Sequence, residues 1–267
     1  MSQPGLDATV ALAREYTDII LSLKPAEWAL PSRCAGWRVQ DLVAHTGSNW
    51  HVLVEPPAVD ASEPADQAPM TAEQLQESLV QARRHWTAQQ VLDEWLTYKD
   101  GALDVLTVLQ SEPAASAPLT LSELGTYPSH QLADAFAFDL YCHLRVDMLA
   151  PTGPVSRIVP PITDELLSPG IGWMLTGLPQ MCPPVAAVLD KPLGLILTGP
   201  GGGTWTIQPG VPLLKITTGR DDPAATATSP ATDFVLWGTK RSDWRSACSI
   251  QGDERFAATV LDALNIV

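Results

Sequence analysis

The sequence is short of several things, and each shortage excludes a class of function. It has few cations: 16 Lys and Arg against 30 Asp and Glu in 267 residues, a formal charge of −14. A surface this acidic repels phosphate backbones and anionic lipid, so neither nucleic acid nor membrane is an expected partner. The excess of carboxylates is read as solubility. Four cysteines, Cys34, Cys142, Cys182 and Cys248, form no C-x-x-C pair and no tight framework. That usage suits reduced thiols better than secreted disulfides. Long apolar runs are missing too. The most apolar region, residues 181–197, is broken by Pro183, Pro184, Asp190, Lys191 and Pro192, and nothing approaches the roughly 20 apolar residues that span a bilayer. The first residues, MSQPGLDATVALAREY, carry charges where a signal peptide needs an apolar core. A cytoplasmic, soluble globular protein is expected, in keeping with 45% apolar residues and a mean hydropathy near zero (+0.05).

Familiar catalytic signatures are also absent. There is no G-x-S-x-G elbow and no H-E-x-x-H pair. The glycine-rich stretch 199–203 lacks the Lys-Ser/Thr of a phosphate loop and reads as a hairpin turn. No internal repeat and no heptad seam is found.

What is present divides the chain in two, and 267 residues can supply two modest cores. Apolar positions recur at helical spacing in residues 5–23 (Ala8, Leu12, Ile19, Ile20, Leu23) and again over 39–54. Residues 56–70, rich in Pro, Ala and Asp, read as an exposed loop. Thr71 with Gln74 is a capping box opening a long helical pattern to about residue 109, bent near Gly101. Residues 111–129 read as another loop, and a last helix runs over 131–149 and stops before Pro151. Four helices with two long connections fit a four-helix bundle in residues 1–150. After Pro151 the composition changes. Residues 151–170 read as linker and entry. Short apolar runs at 193–197, 204–207 and 213–217 read as strands, and 230–239 and 253–264 as helices. Residues 151–267 are therefore expected to form a small α+β domain.

Only five histidines could anchor chemistry: His45, His51, His85, His130 and His143. His45 lies mid-helix, with Asp41 one turn before it and Asn49 one turn after, all on one stripe. On the last helix Asp139 and His143 are four apart, and Asp147 extends the row. A carboxylate and an imidazole at i and i+4, joined by an imidazole from a facing helix, make a three-ligand site for one divalent metal. The donor set suits zinc, with other divalent first-row ions able to compete. His51, His85 and His130 lack such partners and read as surface or structural residues. Cys142 reads as a buried small apolar residue rather than a nucleophile. Trp37 and Trp50 are candidates to line a pocket near His45.

The segment Cys34-Ala-Gly-Trp37-Arg-Val-Gln-Asp41-Leu-Val-Ala-His45 resembles the Gly-Trp-x-Val-x-Asp-Leu-x-x-His signature of mycothiol-dependent maleylpyruvate isomerase-like proteins. The segment Ala137 to Asp147 resembles their last-helix motif, and Asp233-Phe-Val-Leu-Trp237-Gly…Gln251-Gly-Asp253 resembles their C-terminal domain. The resemblance implies a DinB-like four-helix bundle followed by a domain similar to sterol carrier proteins. It also implies metal ligands at His45, Asp139 and His143. The family's second ligand is a Glu, so Asp139 is one methylene shorter. Where relatives carry a capping Ser or Thr, this chain has Arg38, which leaves Asp41 without its capping-box partner. The family's Trp-Gly-Arg is here Trp237-Gly-Thr239-Lys-Arg241.

The resemblance implies a metal-dependent enzyme that uses a small thiol such as mycothiol on a small electrophilic substrate, as a transferase or isomerase. Arg241 is the candidate catalytic cation, holding a substrate carboxylate, in a pocket expected where the two domains meet. Two other classes compete: a small-molecule or lipid binding protein with a structural metal, and a metal hydrolase acting without thiol.

Overall fold

The structure, a computed structural model, describes residues 1–57 and 70–266. The chain divides into two compact units, Met1–Pro160 and Pro161–Val267. The first is helical and the second is α+β.

In the first unit α1 (Gln3–Leu21) packs on α5 (Leu132–Tyr141), and α2 (Val39–Val54) packs on α4 (Ala88–Val108). Their apolar stripes meet in a core that includes Leu12, Tyr16, Ile20, Leu42, Trp50, Trp95, Leu106 and Leu140, none more than 1% exposed. Aromatic stacking ties the helices together. Tyr16 of α1 lies 4.6 Å from Trp95 of α4, and Trp50 of α2 lies 4.6 Å from Phe136 of α5. Trp50 is therefore a core residue rather than a pocket wall.

The pattern over 71–109 is not one helix but two, α3 (Ala72–Arg83) and α4. Each begins with the same device. Thr71 and Gln74 exchange hydrogen bonds of 3.1 and 3.0 Å, and Thr87 and Gln90 do so at 3.2 and 2.9 Å. The second box starts a new helix where periodicity alone ran on. Gly101 marks a close approach instead of a break, since a Cβ there would meet Val54 at 3.3 Å. Buried Arg83 of α3 and Glu94 of α4 share two hydrogen bonds of 2.6 Å, and His51 of α2 reaches Glu94 at 2.8 Å. These contacts lock α3 and α4 onto α2. Removing one partner would leave a buried charge uncompensated. The loop expected over 56–70 lies for the most part outside the described residues. The loop at 111–129 contains a short antiparallel hairpin, β1 (Pro118–Thr120) with β2 (Thr126–Pro128). Alternation over three residues is too short to register as a strand pattern.

After α5 the chain continues as a π-helical turn, Cys142–Met148, then folds back. Leu149 bridges to buried Val155, and Arg157 donates to Glu27 (2.6 and 2.9 Å) and to the Ser22 carbonyl at 3.0 Å. Residues 151–160 thus pack on the helical unit, which is why that unit extends to Pro160.

The second unit holds α6 (Asp164–Met181), α7 (Pro183–Val188), a five-stranded sheet, α8 (Ala231–Gly238) and α9 (Glu254–Ala263). The strands are β3 (Leu193–Thr198), β4 (Gly203–Gln208), β5 (Lys215–Thr218), β6 (Ala225–Pro230) and β7 (Ser249–Gly252), in the order β5-β4-β3-β6-β7. Only the central β3–β6 pair is parallel. The glycine-rich stretch is the β3–β4 turn. Gly199 and Gly201 both take φ of 75°, which a β-carbon disfavours, and the Gly201 N–H donates to Asp164 at 2.8 Å. Four elements were not expected from the sequence, the short α7 among them. α6 contains Pro169 and Pro179, which argue against a helix, and β6 (ATATSP) and β7 lack an apolar run. Among the described residues, no helix is long and apolar enough to cross a membrane.

Candidate metal centre

The site begins with the way α2 starts. Arg38 at its N-cap offers no acceptor oxygen, yet Asp41 is not left without a partner. Its carboxylate accepts from the Arg38 backbone N–H at 2.8 Å and from the Arg38 guanidinium at 3.1 and 3.0 Å. That pairing, with Asp41 1% exposed, corrects the expectation drawn from the missing Ser or Thr. An acidic group in the first turn also suits the helix dipole. One turn later the same face of α2 presents His45, with Asn49 beyond it, its Nδ2 3.4 Å from His45 Nε2.

α5 and the π turn supply the facing side. His45 Nε2 lies 3.1 Å from Asp139 Oδ1, and His143 Nε2 lies 3.4 Å from the same oxygen. The two imidazole rings meet edge-on, centroids 4.6 Å apart at 75°. One donor atom each from His45, Asp139 and His143 lies within 4.8 Å of the others. The three residues singled out in the sequence are thus brought together by helices 94 positions apart in the chain. Both histidines are buried and Asp139 is part-exposed.

The electrostatics follow from this packing. Burial pushes the Asp139 carboxyl up, but the charges of the His45 and His143 rings outweigh it and hold it well below the usual carboxylate range. Burial pushes His143 down, while Asp139, on the Nε2 side, and Asp147, whose Oδ2 accepts from His143 Nδ1 at 2.9 Å, carry it up to about 9.

The residues fit a divalent ion on their own evidence. Two imidazoles and one carboxylate are a donor set for zinc and its neighbours. Among the described residues Asp139 Oδ2 is buried without a hydrogen-bond partner, although Oδ1 is shared by two rings. Asp139 and Asp147 together bring two negative charges to the cluster, the complement of a divalent cation.

Trp37, expected near His45, forms one wall. Its ring lies 5.1 Å from the His45 ring and 6.0 Å from that of His143. The indole N–H donates to Glu77 of α3 at 2.7 Å, which lowers the Glu77 carboxyl pKa. Arg84 donates to the Gly36 carbonyl at 3.1 Å, so α3 steadies the loop that carries Trp37. The sequence offered no signal for Glu77, forty residues away. His51 belongs to the Glu94 network and stacks on Tyr98 at 4.0 Å, His85 is exposed, and Cys142 is buried. Arg241 belongs to the second unit, in the turn after α8, where its backbone N–H donates to Leu236 at 2.8 Å.

A family model, the mycothiol maleylpyruvate isomerase N-terminal domain, matches residues 10–144, just over half of the chain, with all three candidate ligands, His45, Asp139 and His143, inside the match. The chain belongs to this family. Two crystal structures of the mycothiol-dependent maleylpyruvate isomerase, one of them a histidine-to-alanine mutant, superpose on it with TM-scores of 0.57 and 0.56. They share 16% and 14% identity with it, and the alignment covers 92% of this chain and 91% of theirs. At that identity the likeness is one of fold. The sterol carrier protein domain 2 of Helicoverpa armigera aligns over 37% of this chain and 80% of its own, at 17% identity and a TM-score of 0.25. No curated protein matches the sequence. The family match runs from within α1 to within the π turn that carries His143.

Proposed function

We propose that this chain is a metal-dependent enzyme that uses a small thiol, of the mycothiol kind, as an S-transferase or isomerase acting on a small electrophilic substrate. The observation that carries this reading is the convergence of His45, Asp139 and His143 from two helices, in a chain that belongs to the mycothiol maleylpyruvate isomerase family. These three residues would hold the ion. A divalent ion bound there supplies a positive charge that favours thiolate over thiol, whose free pKa is about 8.5.

The rest is the work of this chain's residues. Asp139 and Asp147 hold His143 between them, and Asn49 flanks His45. Trp37 gives the two imidazoles an apolar neighbour, which limits water on that side and strengthens local electrostatics. The covalent chemistry belongs to thiol and substrate. The sulfur adds to an electrophilic carbon as a conjugated double bond moves its electrons onto the acceptor group. Rotation about the new single bond and expulsion of the same thiolate restore the double bond in the other geometry, with no net oxidation. In a transferase the adduct takes up a proton and is the product. Arg241 is proposed as the cation for a substrate carboxylate, on the strength of guanidinium chemistry. Loss of kcat/KM in Arg241→Ala with a carboxylate substrate is expected, and unchanged kinetics would remove it.

The test is a titration. The purified protein, substituted with Co²⁺, is mixed with mycothiol and its visible absorption followed. A new sulfur-to-cobalt band at about one thiol per protein is expected. Stoichiometric metal with no thiol response, together with thiol-free hydrolysis, would overturn the reading in favour of a metal hydrolase.

A further inference from the structure

We propose that Asp147 is a positioning residue for the metal centre: it fixes the His143 ring so that Nε2, rather than Nδ1, faces Asp139 and the ion. The inference rests on reading the cluster as a metal centre and adds a fourth residue to it, outside the family match, which ends at residue 144.

Three observations point the same way. First, the contact is direct. Asp147 is 0% exposed, and its Oδ2 accepts from His143 Nδ1 at 2.9 Å. A fully buried carboxylate is costly unless it is paired and hydrogen-bonded, so its placement against His143 has to be supported by the fold. An imidazole whose one nitrogen donates to a carboxylate presents the other as a lone pair, which sets both tautomer and ring plane.

Second, the backbone departs from α-helical winding where this row of residues needs it. Asp139, His143 and Asp147 are spaced in fours. Four residues of α-helix overshoot a full turn by about 40°, and eight by about 80°, which would fan the row away from a common plane. From Cys142 to Met148 the chain is π-helical instead, closed by the Leu149 N–H to Leu144 carbonyl bond of 3.0 Å. The wider i→i+5 turn winds the row back, so that His143 touches one carboxylate on each side. π segments of this kind recur at functional sites.

Third, the two histidines are unequal. Among the described residues His45 Nδ1 is buried without a hydrogen-bond partner, whereas His143 Nδ1 is anchored by Asp147. The site thus has one imidazole fixed from its far nitrogen and one that is not. The Asp147 backbone is used as well: its carbonyl accepts from the Arg33 N–H at 3.0 Å, which ties the loop carrying Trp37 to the same turn.

The experiment measures Zn²⁺ affinity by competition with a chromophoric chelator, and the Co²⁺ absorption spectrum, in the full chain and in Asp147→Asn and Asp147→Ala. Asp147→Ala is expected to bind Zn²⁺ about 10–100-fold more weakly, with altered cobalt bands. Asp147→Asn keeps an acceptor for Nδ1–H but loses the charge, so its loss should fall at the lower end of that range. If Asp147→Ala does not fold, Asp147→Asn decides. Wild-type affinity and an unchanged cobalt spectrum in the folded variants overturn the proposal. So does a fall in metal-free melting temperature with both metal readouts unmoved, the mark of a purely structural carboxylate. Absence of stoichiometric metal in the wild-type chain overturns the metal-centre reading and this inference with it, whereas failure confined to the Asp147 variants' response overturns this inference alone.

Discussion

At the scale of single residues the cluster is a balance of charge. Asp139 Oδ1 serves two rings at 3.1 and 3.4 Å, and His143 is shared between two carboxylates. Removing His143 takes away a candidate ligand, leaves Asp147 without its ring partner and leaves Asp139 with His45 alone. His143→Ala is expected to lose at least about 100-fold in Zn²⁺ affinity, more than loss of a backing carboxylate costs. Its far-ultraviolet circular dichroism should remain that of the wild type, because the core of Leu12, Trp50, Trp95 and Leu140 does not run through the site. Stoichiometric zinc in the purified variant would remove His143 from the ligand set. Asp139 and His143 were legible as a pair because i, i+4 spacing on a helix needs no tertiary knowledge, whereas His45, on another helix, joined them only through the family resemblance. Glu77 was not legible. Its bond to Trp37 depends on where α3 lands, and no local pattern encodes that.

At the scale of elements, the ends of helices carry the information that periodicity does not. The break between α3 and α4 is written in Thr87 and Gln90, but an uninterrupted apolar rhythm runs across it. The π turn was invisible for a related reason: nothing in the residue types of Cys142–Met148 marks a change from α to π winding. The segment after it is held by Arg157. Its hydrogen bonds to Glu27, helped by the Lys24 backbone N–H and opposed by burial, depress the Glu27 carboxyl to about 2 from an ordinary 4.5. A depressed acid contributes stability that is present above its unfolded pKa and is lost as pH falls through the folded one. The Glu27–Arg157 tie should therefore act fully above pH 4.5 and fade between 4.5 and about 2. Being near the surface, it is worth about 1 kcal/mol or less. Urea unfolding of wild type and Glu27→Gln should differ at pH 7 and converge near pH 2. A gap that persists at pH 2 would contradict the assignment.

At the scale of the whole molecule, two units with separate cores make the ion dispensable for folding. Chelation with EDTA is expected to leave the secondary structure intact and to lower the melting temperature. The stabilisation lost should follow RT ln(1 + [metal]/Kd), about 2.7 kcal/mol when free metal is 100 times Kd. Collapse of the circular dichroism on chelation would place this chain with proteins that fold only around their metal. The division into a helical and an α+β part was legible from the change in composition after Pro151. The second unit was legible where apolar strands alternate with glycine turns, at β3, β4 and β5, and illegible at α6, β6 and β7. There, prolines inside a helix and small residues in a strand are tolerated only because the surrounding sheet fixes them.

The distance in sequence between His45 and Asp139, 94 residues, also has a kinetic meaning. A contact of that separation cannot form until the intervening chain has been closed, so it adds nothing to early folding events. An ion bridging α2 and α5 would hold the native state while leaving the path to it unchanged. In a chevron plot, adding Zn²⁺ should then lower the unfolding limb and leave the folding limb where it was, so that the metal governs how long the molecule stays folded rather than how fast it gets there.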